Sequence, residues 1–569
     1  MNLRLLSVAA WLFCASLAVS FDANAADSAA IGSIRTSHSF KRTSQGFRKV
    51  APKFFQNYDF KLDSRTGEII DMTLRSETEI RLESMSLPFS EESIRSGDFV
   101  LQKAMYDKKL GFESRSGRAP WSQVDDAERL VGHLKYRKLS QMESKGLKAA
   151  RLKSVPWSST YWPTYAGGVA NRYADPSFEI SRNWKTNIEL LKRSVPESLS
   201  GMTPDELDVL SPTEKYDVLV GDPNFTLTRQ EFAAAEAAAE ANGKIEFWEG
   251  KCHGWSPAAF SERRPHHSIS VRAYDSAQPG AQGVSVKFYP DDIKALATLL
   301  WANAPTQNRF VGSRCNVRDP QTDENGRILE ASCFDTNPGT WHLVAVNQIG
   351  VNKKGFVLDA TYDYQVWNQP AFAYEYSYFD PRDAARNWDY EDDQKFKNLD
   401  TLRQAQVDLN DFSEDRFRQY RGSGAVSVVG VHMKFTYVSE KDVSHAERDS
   451  AASSSLTSVH YYYDLELDAE GNIVGGEWYQ LEHPDFMWAP VSKATAIGDE
   501  SLDHDPRGAR WKKRGIRPIS AELRNAALES SIQGQPLARI ISELIQKSRK
   551  YPGYTVLHFL FGWLERKTD

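Results

Sequence analysis

Cysteine is scarce in this chain, and several other features that would point directly to a function class are missing. Only four of the 569 residues are cysteine. The formal net charge is −6, the pI is near 6.1 and no long basic run occurs. This balance argues against nucleic acid or an anionic membrane as the main partner. No repeat is evident, and no later apolar segment is long and uncharged enough for a bilayer span of about 20 residues.

The N-terminus has the composition of a secretory signal. It begins with Arg4, continues with an apolar run from Leu5 to Val19, and ends in the small-residue exit Ala23-Asn24-Ala25. These three regions predict a cleavable signal peptide over residues 1–25. We therefore expect a secreted or periplasmic protein that starts near Ala26 and has no membrane span.

Removal of the signal leaves three cysteines in a compartment where disulfides persist, and three is an odd number. Cys315 and Cys333 are separated by a short turn-rich stretch, and closing such a loop stabilises a protein by about 3 kcal/mol. They are the predicted disulfide pair. Cys252 remains as a thiol in "GKCHGWSPAAF". The alternative is a buried, inert cysteine, which is the commoner role of a lone cysteine.

Changes in amino-acid composition divide the chain into segments. Residues 26–154 are charged and poor in large apolar clusters, which predicts an accessory domain or a prosegment. Residues 155–500 are rich in aromatic residues and punctuated by glycine, and residues 501–569 form a basic, then helical tail. Within the middle segment, predicted helices come first and predicted strands after them. This order indicates an α+β fold.

Individual elements follow from local patterns. Helices are predicted over 226–243, with Thr228 and Glu231 as a capping box, and after Pro290 in "YPDDIKALATLLWANA". From residue 340 onward, alternation of apolar and polar residues predicts strands in "WHLVAVNQI", "GFVLDAT", "AVSVVGVHMKFTYV" and "VHYYYDLELDAEGNIVGGEWYQL".

Cys252 is the candidate nucleophile. A catalytic thiol needs a lowered pKa, a base and donors for an oxyanion. Gly250 permits a sharp turn that would put Cys252 at the mouth of a helix, where backbone N–H groups and the helix dipole stabilise a thiolate. Ser256-Pro257 also has the pattern of a helix start, so Cys252 would alternatively lie on the preceding loop.

Among twelve histidines, His342 is the candidate base. Neighbouring helix residues point about 100° apart, which disfavours His253, and His266-His267 follow a proline at a predicted surface strand. A hairpin centred between Gly350 and Val351 would place His342 opposite Asp359, which could then fix the imidazole tautomer. Asp363 is the reserve acid. The alternative is that His342 is a satisfied core histidine and Asp359 a strand-end cap.

Four separated blocks of this sequence resemble the transglutaminase elicitor family, secreted enzymes of oomycetes and some bacteria. The blocks are "WEGKCHGWSPAA", "FYPDDIKAL", "DTNPGTWHLVAVNQIGVNKKGFVLDATYDYQVWNQP" and "DLELDAEGNIVGGEWYQLEHPDFMWAP". "VWNQP" is similar to the start of the peptide that plants detect in that family, and the chain departs from the family after it. The resemblance implies a papain-like or transglutaminase-like core and a Cys-His-Asp triad of Cys252, His342 and Asp359.

It also implies protein-glutamine γ-glutamyltransferase activity, with glutamine side chains of proteins, including host proteins, as acyl donors and lysine or other amines as acceptors. Trp248, Trp255 and Trp341 flank the triad residues and would shield a thioester from water, or would be core residues. The chemistry needs no cofactor. Because related transglutaminases depend on calcium, "DPQTDENG" (319–326) is a candidate calcium segment, although a β-turn explains it more simply. The alternatives are a cysteine peptidase or glutamine deamidase with the same triad, and a non-catalytic secreted virulence or adhesion factor.

Overall fold

The described part of the chain has helices and strands in separate stretches of sequence. The computed structural model describes residues 31–34, 58–63, 69–74, 87–88, 125–198, 201–274, 284–304, 308–312, 321, 336–361, 365–383, 397–479, 483–491 and 518–550. The α-helices are α1 Ala127–Val131, α2 Leu139–Ser144, α3 Trp184–Ser194, α4 Pro204–Asp208, α5 Pro212–Val220, α6 Thr226–Asn242, α7 Cys252–Ser261, α8 Pro290–Asn303, α9 Pro338–Val344, α10 Leu402–Ala405, α11 Ala521–Ile532 and α12 Ala538–Arg549.

The strands are β1 Ile31–Ile34, β2 Tyr58–Asp63, β3 Ile69–Leu74, β4 Leu87–Pro88, β5 Ala149–Arg151, β6 Ile269–Arg272, β7 Ser285–Phe288, β8 Asn308–Gly312, β9 Val357–Asp359, β10 Asn368–Phe379, β11 Gln406–Asp408, β12 Ser427–Ser439, β13 Ser455–Leu467, β14 Ile473–Gly475 and β15 Phe486–Pro490. The main sheet has the order β14-β13-β12-β10-β9-β15-β8, with β5 on β10 and β11 on β12. Its pairings are antiparallel. The α+β prediction, with helices before an antiparallel sheet, is confirmed.

Among the described strands, the longest pair forms where the sequence alternates between apolar and polar residues. β12 and β13 pair without a register shift from Ser427 opposite Leu467 to Ser439 opposite Ser455. The predicted strands over 425–438 and 459–481 are confirmed, the second as β13 and β14, as is the strand in "GFVLDAT", which forms β9.

A layer of helices packs beside this sheet. The predicted helix after Pro290 is confirmed as α8, in which every residue is buried. Pro290 occupies the first turn, and Asp291 and Asp292 lie at the positive end of the helix dipole. α7 lies very close to α8, because a Cβ added to Gly254 would be 2.3 Å from the carbonyl oxygen of Thr298.

The predicted helix over 226–243 is confirmed, but its predicted capping box is wrong. α6 begins at Thr226 and ends at Asn242, with Gly243 as its C-cap, so Thr228 lies inside the first turn. Asp217 of α5 instead accepts hydrogen bonds from the backbone N–H groups of Leu227 and Thr228. One of the two carboxylates that cap this helix therefore comes from the preceding helix, and the other is Asp222, which accepts from the backbone N–H of Thr226.

The predicted strand "WHLVAVNQI" is wrong. Residues Pro338–Val344 form α9, and Ala345–Val351 continue as a π-helix. Asn337 caps α9 by accepting a hydrogen bond from the backbone N–H of Gly339, and Pro338 is the first helical residue. This segment is buried on all sides up to Gly350, so its apolar residues do not show a helical period.

Residues from 127 onward and the two C-terminal helices α11 and α12 join the same hydrophobic core. Leu130 and Leu139 lie in one cluster with Leu296, Val431 and Ile540. The part of the predicted N-terminal region from residue 127 onward and the helices of the predicted C-terminal tail thus pack onto the central segment. In the parts of the chain that the structure describes, no helix has both the length and the apolar character of a membrane span.

Candidate active site

Cys252 is the first residue of α7. The residue before it, Lys251, occupies the cap position and makes no side-chain capping hydrogen bond. The thiol therefore lies at a helix N-terminus, where backbone N–H groups lack intrahelical partners and the dipole is positive. Both effects stabilise a thiolate. The sequence hypothesis of a helix that starts at Cys252 is confirmed over the alternative start at Ser256-Pro257, since Pro257 lies inside α7.

Gly250 is required by a close approach. A Cβ at this position would be 2.5 Å from the carbonyl oxygen of Tyr161 and 2.7 Å from its ring. The same carbonyl oxygen accepts a hydrogen bond from the backbone N–H of Lys251 at 2.6 Å. Tyr161 therefore lies directly over the turn that leads into Cys252, and a side chain at Gly250 would displace it.

Asn368, the first residue of β10, contacts the sulfur. Its Nδ2 donates to Cys252 Sγ at 3.5 Å, while its Oδ1 accepts from Trp488 Nε1 at 2.7 Å. An indole N–H is only a donor, so it fixes the amide with the oxygen toward Trp488 and the NH₂ toward the sulfur. The Ser256 hydroxyl donates to the Asn368 carbonyl oxygen and ties α7 to β10. This amide is therefore a preorganised donor for a thiolate.

Asp359 lies next to this contact, at the end of β9 and opposite Asn368 in the sheet. Its Oδ1 accepts from the Trp367 backbone N–H at 2.9 Å and from the Thr361 hydroxyl at 3.0 Å. The Val366 carbonyl oxygen, one residue earlier, is 3.8 Å from Cys252 Sγ. Asp359 thus holds the chain segment that carries two of the contacts to the thiol, and the structure brings these two predicted residues into one neighbourhood.

His342 lies elsewhere, on α9. Its Nδ1 is 2.8 Å from the hydroxyl of Tyr463, and its ring packs edge-on against Tyr376 at 4.7 Å between centroids. Its Nε2 has no hydrogen-bond partner among the described residues. Burial lowers the pKa of His342 to about 3, so the ring is neutral at physiological pH.

Tyr376, which His342 contacts, lies far along β10 from the residue that contacts the thiol. Tyr376 and Asn368 lie on the same strand, eight residues apart, which corresponds to roughly 25 Å at the rise of an extended chain. Asn368 contacts Cys252, whereas Tyr376 contacts His342. The structure therefore does not bring His342 within hydrogen-bonding reach of Cys252. The hairpin expected to pair His342 with Asp359 is absent from these described segments, because its first strand is helical.

Two half-buried aromatic residues lie beside the thiol. The rings of Tyr161 and Trp367 pack edge to face at 5.1 Å, and the Tyr161 hydroxyl donates to the carbonyl oxygen of Phe247. Burial raises the pKa of Tyr161, with a smaller contribution from Cys252. Trp367 belongs to "VWNQP", so the sequence carried a signal for this part of the site, whereas no motif marked Tyr161.

The comparison with known families decides the membership of this chain. The model of the transglutaminase elicitor family matches residues 132–499, more than half of the sequence. The chain belongs to the transglutaminase elicitor family. Among solved structures, the GP42 transglutaminase from Phytophthora sojae is similar at 21% identity, over 66% of this chain and 93% of that chain, with a TM-score of 0.42. No curated protein matches the chain.

In this member of the transglutaminase elicitor family, the three tryptophans considered for substrate shielding are buried in the core. Trp248, Trp255 and Trp341 are each at most 1% exposed. Trp255 Nε1 donates to the carbonyl oxygen of Trp157, and Trp341 packs against Phe435. The geometry favours the core alternative for all three.

Other expectations from the family resemblance fall on chain segments that are not described. The predicted signal peptide, the predicted Cys315–Cys333 disulfide and the reserve acid Asp363 lie outside the described residues. Cys252 is in no disulfide within the described segments. The candidate calcium segment is described only at residue 321, and the residues that the structure does describe contain no cluster suited to a metal ion. The disulfide and the calcium requirement stay predictions.

Proposed function

We propose that the protein is a protein-glutamine γ-glutamyltransferase with Cys252 as its nucleophile. The observation that carries this proposal is the position of Cys252 at an uncapped helix N-terminus, with the Asn368 amide fixed toward the sulfur. This combination favours the thiolate, which is the reactive form of cysteine. Membership of the transglutaminase elicitor family supports glutamine as the acyl donor.

The reaction has two halves. In the first, the thiolate attacks the carboxamide carbon of a substrate glutamine, the C–N bond breaks, and ammonia leaves with the proton that the thiol gave up. The backbone N–H groups of Gly254 and Trp255 donate to the Lys251 carbonyl oxygen, so the oxyanion that forms on the carboxamide would accept from the backbone at Cys252 itself, ahead of them. In the second half, a lysine amine attacks the thioester, forms an isopeptide bond and returns its proton to the departing sulfur.

His342 has no step in this proposal. Its neutral ring is hydrogen-bonded to Tyr463 of β13 and packs against Tyr376 of β10, so we assign it a structural role. Asp359 acts through its hydrogen bonds to Thr361 and Trp367, as a positioning residue for Asn368.

Amine transfer is tested by the incorporation of a fluorescent primary amine into a glutamine-rich protein, with ammonia release measured in parallel. Cys252→Ala should abolish both signals while the thermal unfolding temperature is retained. Ser261→Ala, at the exposed end of the same helix, is the matched control and should leave both unchanged. Ammonia release without incorporation would instead indicate a deamidase, and release of peptides a peptidase. Full incorporation by Cys252→Ala would refute the proposal and favour a non-catalytic role.

We further propose that the protein acts after export. The N-terminal sequence has the pattern of a signal peptide, and the family is one of elicitors. Sequencing the N-terminus of the exported protein would test this proposal, with a start near Ala26 as the expected result. Recovery of the intact Met1 N-terminus from the exported fraction would contradict it.

A further inference from the structure

A carboxyl group lies in the same neighbourhood as Cys252. Glu440 directly follows β12 and is half-buried. Its Oε1 accepts a hydrogen bond from Gln369 Nε2 at 2.7 Å. Gln369 is the chain neighbour of Asn368, whose own amide contacts the sulfur. Two consecutive residues at the start of β10 therefore contact the thiol and this carboxyl group.

A second connection runs through the segment that carries Tyr161. The Ser159 carbonyl oxygen accepts from the backbone N–H of Lys441 at 2.9 Å, and the Tyr161 carbonyl oxygen accepts from that of Lys251 at 2.6 Å. Two residues of chain span at most about 7 Å. The residues that follow Glu440 and precede Cys252 are thus anchored side by side on one short segment.

The electrostatics agree with this placement. Burial raises the pKa of Glu440, and the charge of Cys252 raises it further. Tyr161 and Tyr437 also interact with the carboxylate of Glu440, and each has a pKa raised mainly by burial. The carboxyl group, the thiol and the two phenols therefore form one interacting set. A carboxylate with a raised pKa is a stronger base than an exposed one.

Buried ion pairs hold the loop that follows Glu440. Lys294 of α8 contacts Asp291 at 2.9 Å and Asp449 at 3.0 Å. The backbone N–H of Ser444 donates to Asp291, so the chain after Glu440 is fixed to the start of α8. This anchoring fixes the start of the loop that carries Glu440, and a fixed position is what acid–base catalysis requires.

We propose that Glu440 is the proton-exchanging group for Cys252. This inference rests on the proposed transferase function. The carboxylate takes the thiol proton as the S–C bond forms and delivers it to the nitrogen as the C–N bond breaks, so that ammonia leaves. In the second half it takes a proton from the attacking amine and returns it to the sulfur as the thioester breaks. No other reactant is needed.

The test separates proton transfer from nucleophile formation. Glu440→Gln keeps an oxygen that can accept from Gln369 but removes the exchangeable proton. General acid–base catalysis typically contributes a factor of about 10²–10⁴, so we expect kcat for amine incorporation to fall by about 100-fold or more. Alkylation of Cys252 by iodoacetamide, followed by peptide mapping, should not slow and should speed up near neutral pH. The reason is that removal of a neighbouring negative charge lowers the thiol pKa.

Two variants serve as controls. Glu447→Gln makes the same change at an exposed position of the same loop and should leave both rates unchanged. Glu440→Asp keeps a carboxyl group and should restore part of the turnover that Glu440→Gln loses, which covers the case in which Glu440→Gln folds poorly.

Three outcomes would overturn the inference: unchanged turnover in Glu440→Gln, an equal loss of turnover and alkylation, or no recovery of turnover in Glu440→Asp. Failure of the transferase proposal is distinguishable, because wild type would then incorporate no amine, or Cys252→Ala would incorporate it as fully as wild type. An inactive Cys252→Ala with a fully active Glu440→Gln refutes the role of Glu440 alone.

Discussion

Substitution of His342 by glutamine should change the acid stability of the protein and leave its chemistry intact. In the folded protein, burial lowers the pKa of this ring from 6.5 to about 3. The unfolded chain therefore binds a proton between these values that the folded chain does not. The neutral ring therefore makes its full contribution to the unfolding free energy above pH 6.5, and this contribution is lost as the pH falls toward 3.

The size of the effect follows from the two pKa values. Each pH unit below 6.5 lowers the unfolding free energy by about 1.4 kcal/mol until the folded ring itself titrates. Between about pH 7.5 and about pH 4 the loss attributable to His342 is therefore about 3 kcal/mol. His483 is also buried and has a pKa lowered to about 3, so wild type carries a second contribution of the same sign.

Urea unfolding at the two pH values measures this contribution. The drop in unfolding free energy should be about 3 kcal/mol smaller in His342→Gln than in wild type. Because each protein is compared with itself at the two pH values, any pH-independent loss of stability from repacking around Tyr463 cancels. His133→Gln, at an exposed site, is the control and should show the wild-type drop.

The same variant tests the placement of His342. If it lies away from the thiol, amine incorporation by His342→Gln at neutral pH should stay within a fewfold of wild type. Loss of activity with an unchanged acid-stability drop would refute the reasoning and restore His342 as a catalytic base.

Two further predictions follow from contacts at the thiol. Asn368→Asp replaces a donor by a negative charge beside the sulfur, so it should raise the thiol pKa and slow alkylation of Cys252 near neutral pH, and an unchanged alkylation profile would contradict this. Gly250→Ala should lower the unfolding free energy by about 1–3 kcal/mol, because the added Cβ overlaps Tyr161. Gly424→Ala, where no atom lies within 4 Å of the added Cβ, is the control and should not lower it. Equal stability of the two variants would contradict the close approach at Gly250.

The sequence predicted elements whose signals are local. Pro290 and the two aspartates after it mark the start of α8, and alternation marks β12 and β13, because these patterns arise within a few residues. The segment around His342 gave a wrong prediction because it is buried on all sides, and a fully buried helix shows no periodic polar face.

The candidate site was predictable only in part, for a related reason. Gly250 and Cys252 are close in sequence, so their shared turn could be inferred. Asn368 contacts the thiol from a strand that starts 116 residues later, and Glu440 arrives from the end of another strand. Strand order and register decide these contacts, and neither is visible in the residues themselves.

The central claim is that Cys252 forms a thioester with a glutamine side chain. Mass spectrometry of the intact protein after brief exposure to a glutamine-containing peptide, without an acceptor amine, tests it most directly. The account predicts an added mass equal to the peptide minus ammonia, located on Cys252 by peptide mapping and removed by hydroxylamine. An adduct on another residue, or none in a preparation that incorporates amine, would contradict it.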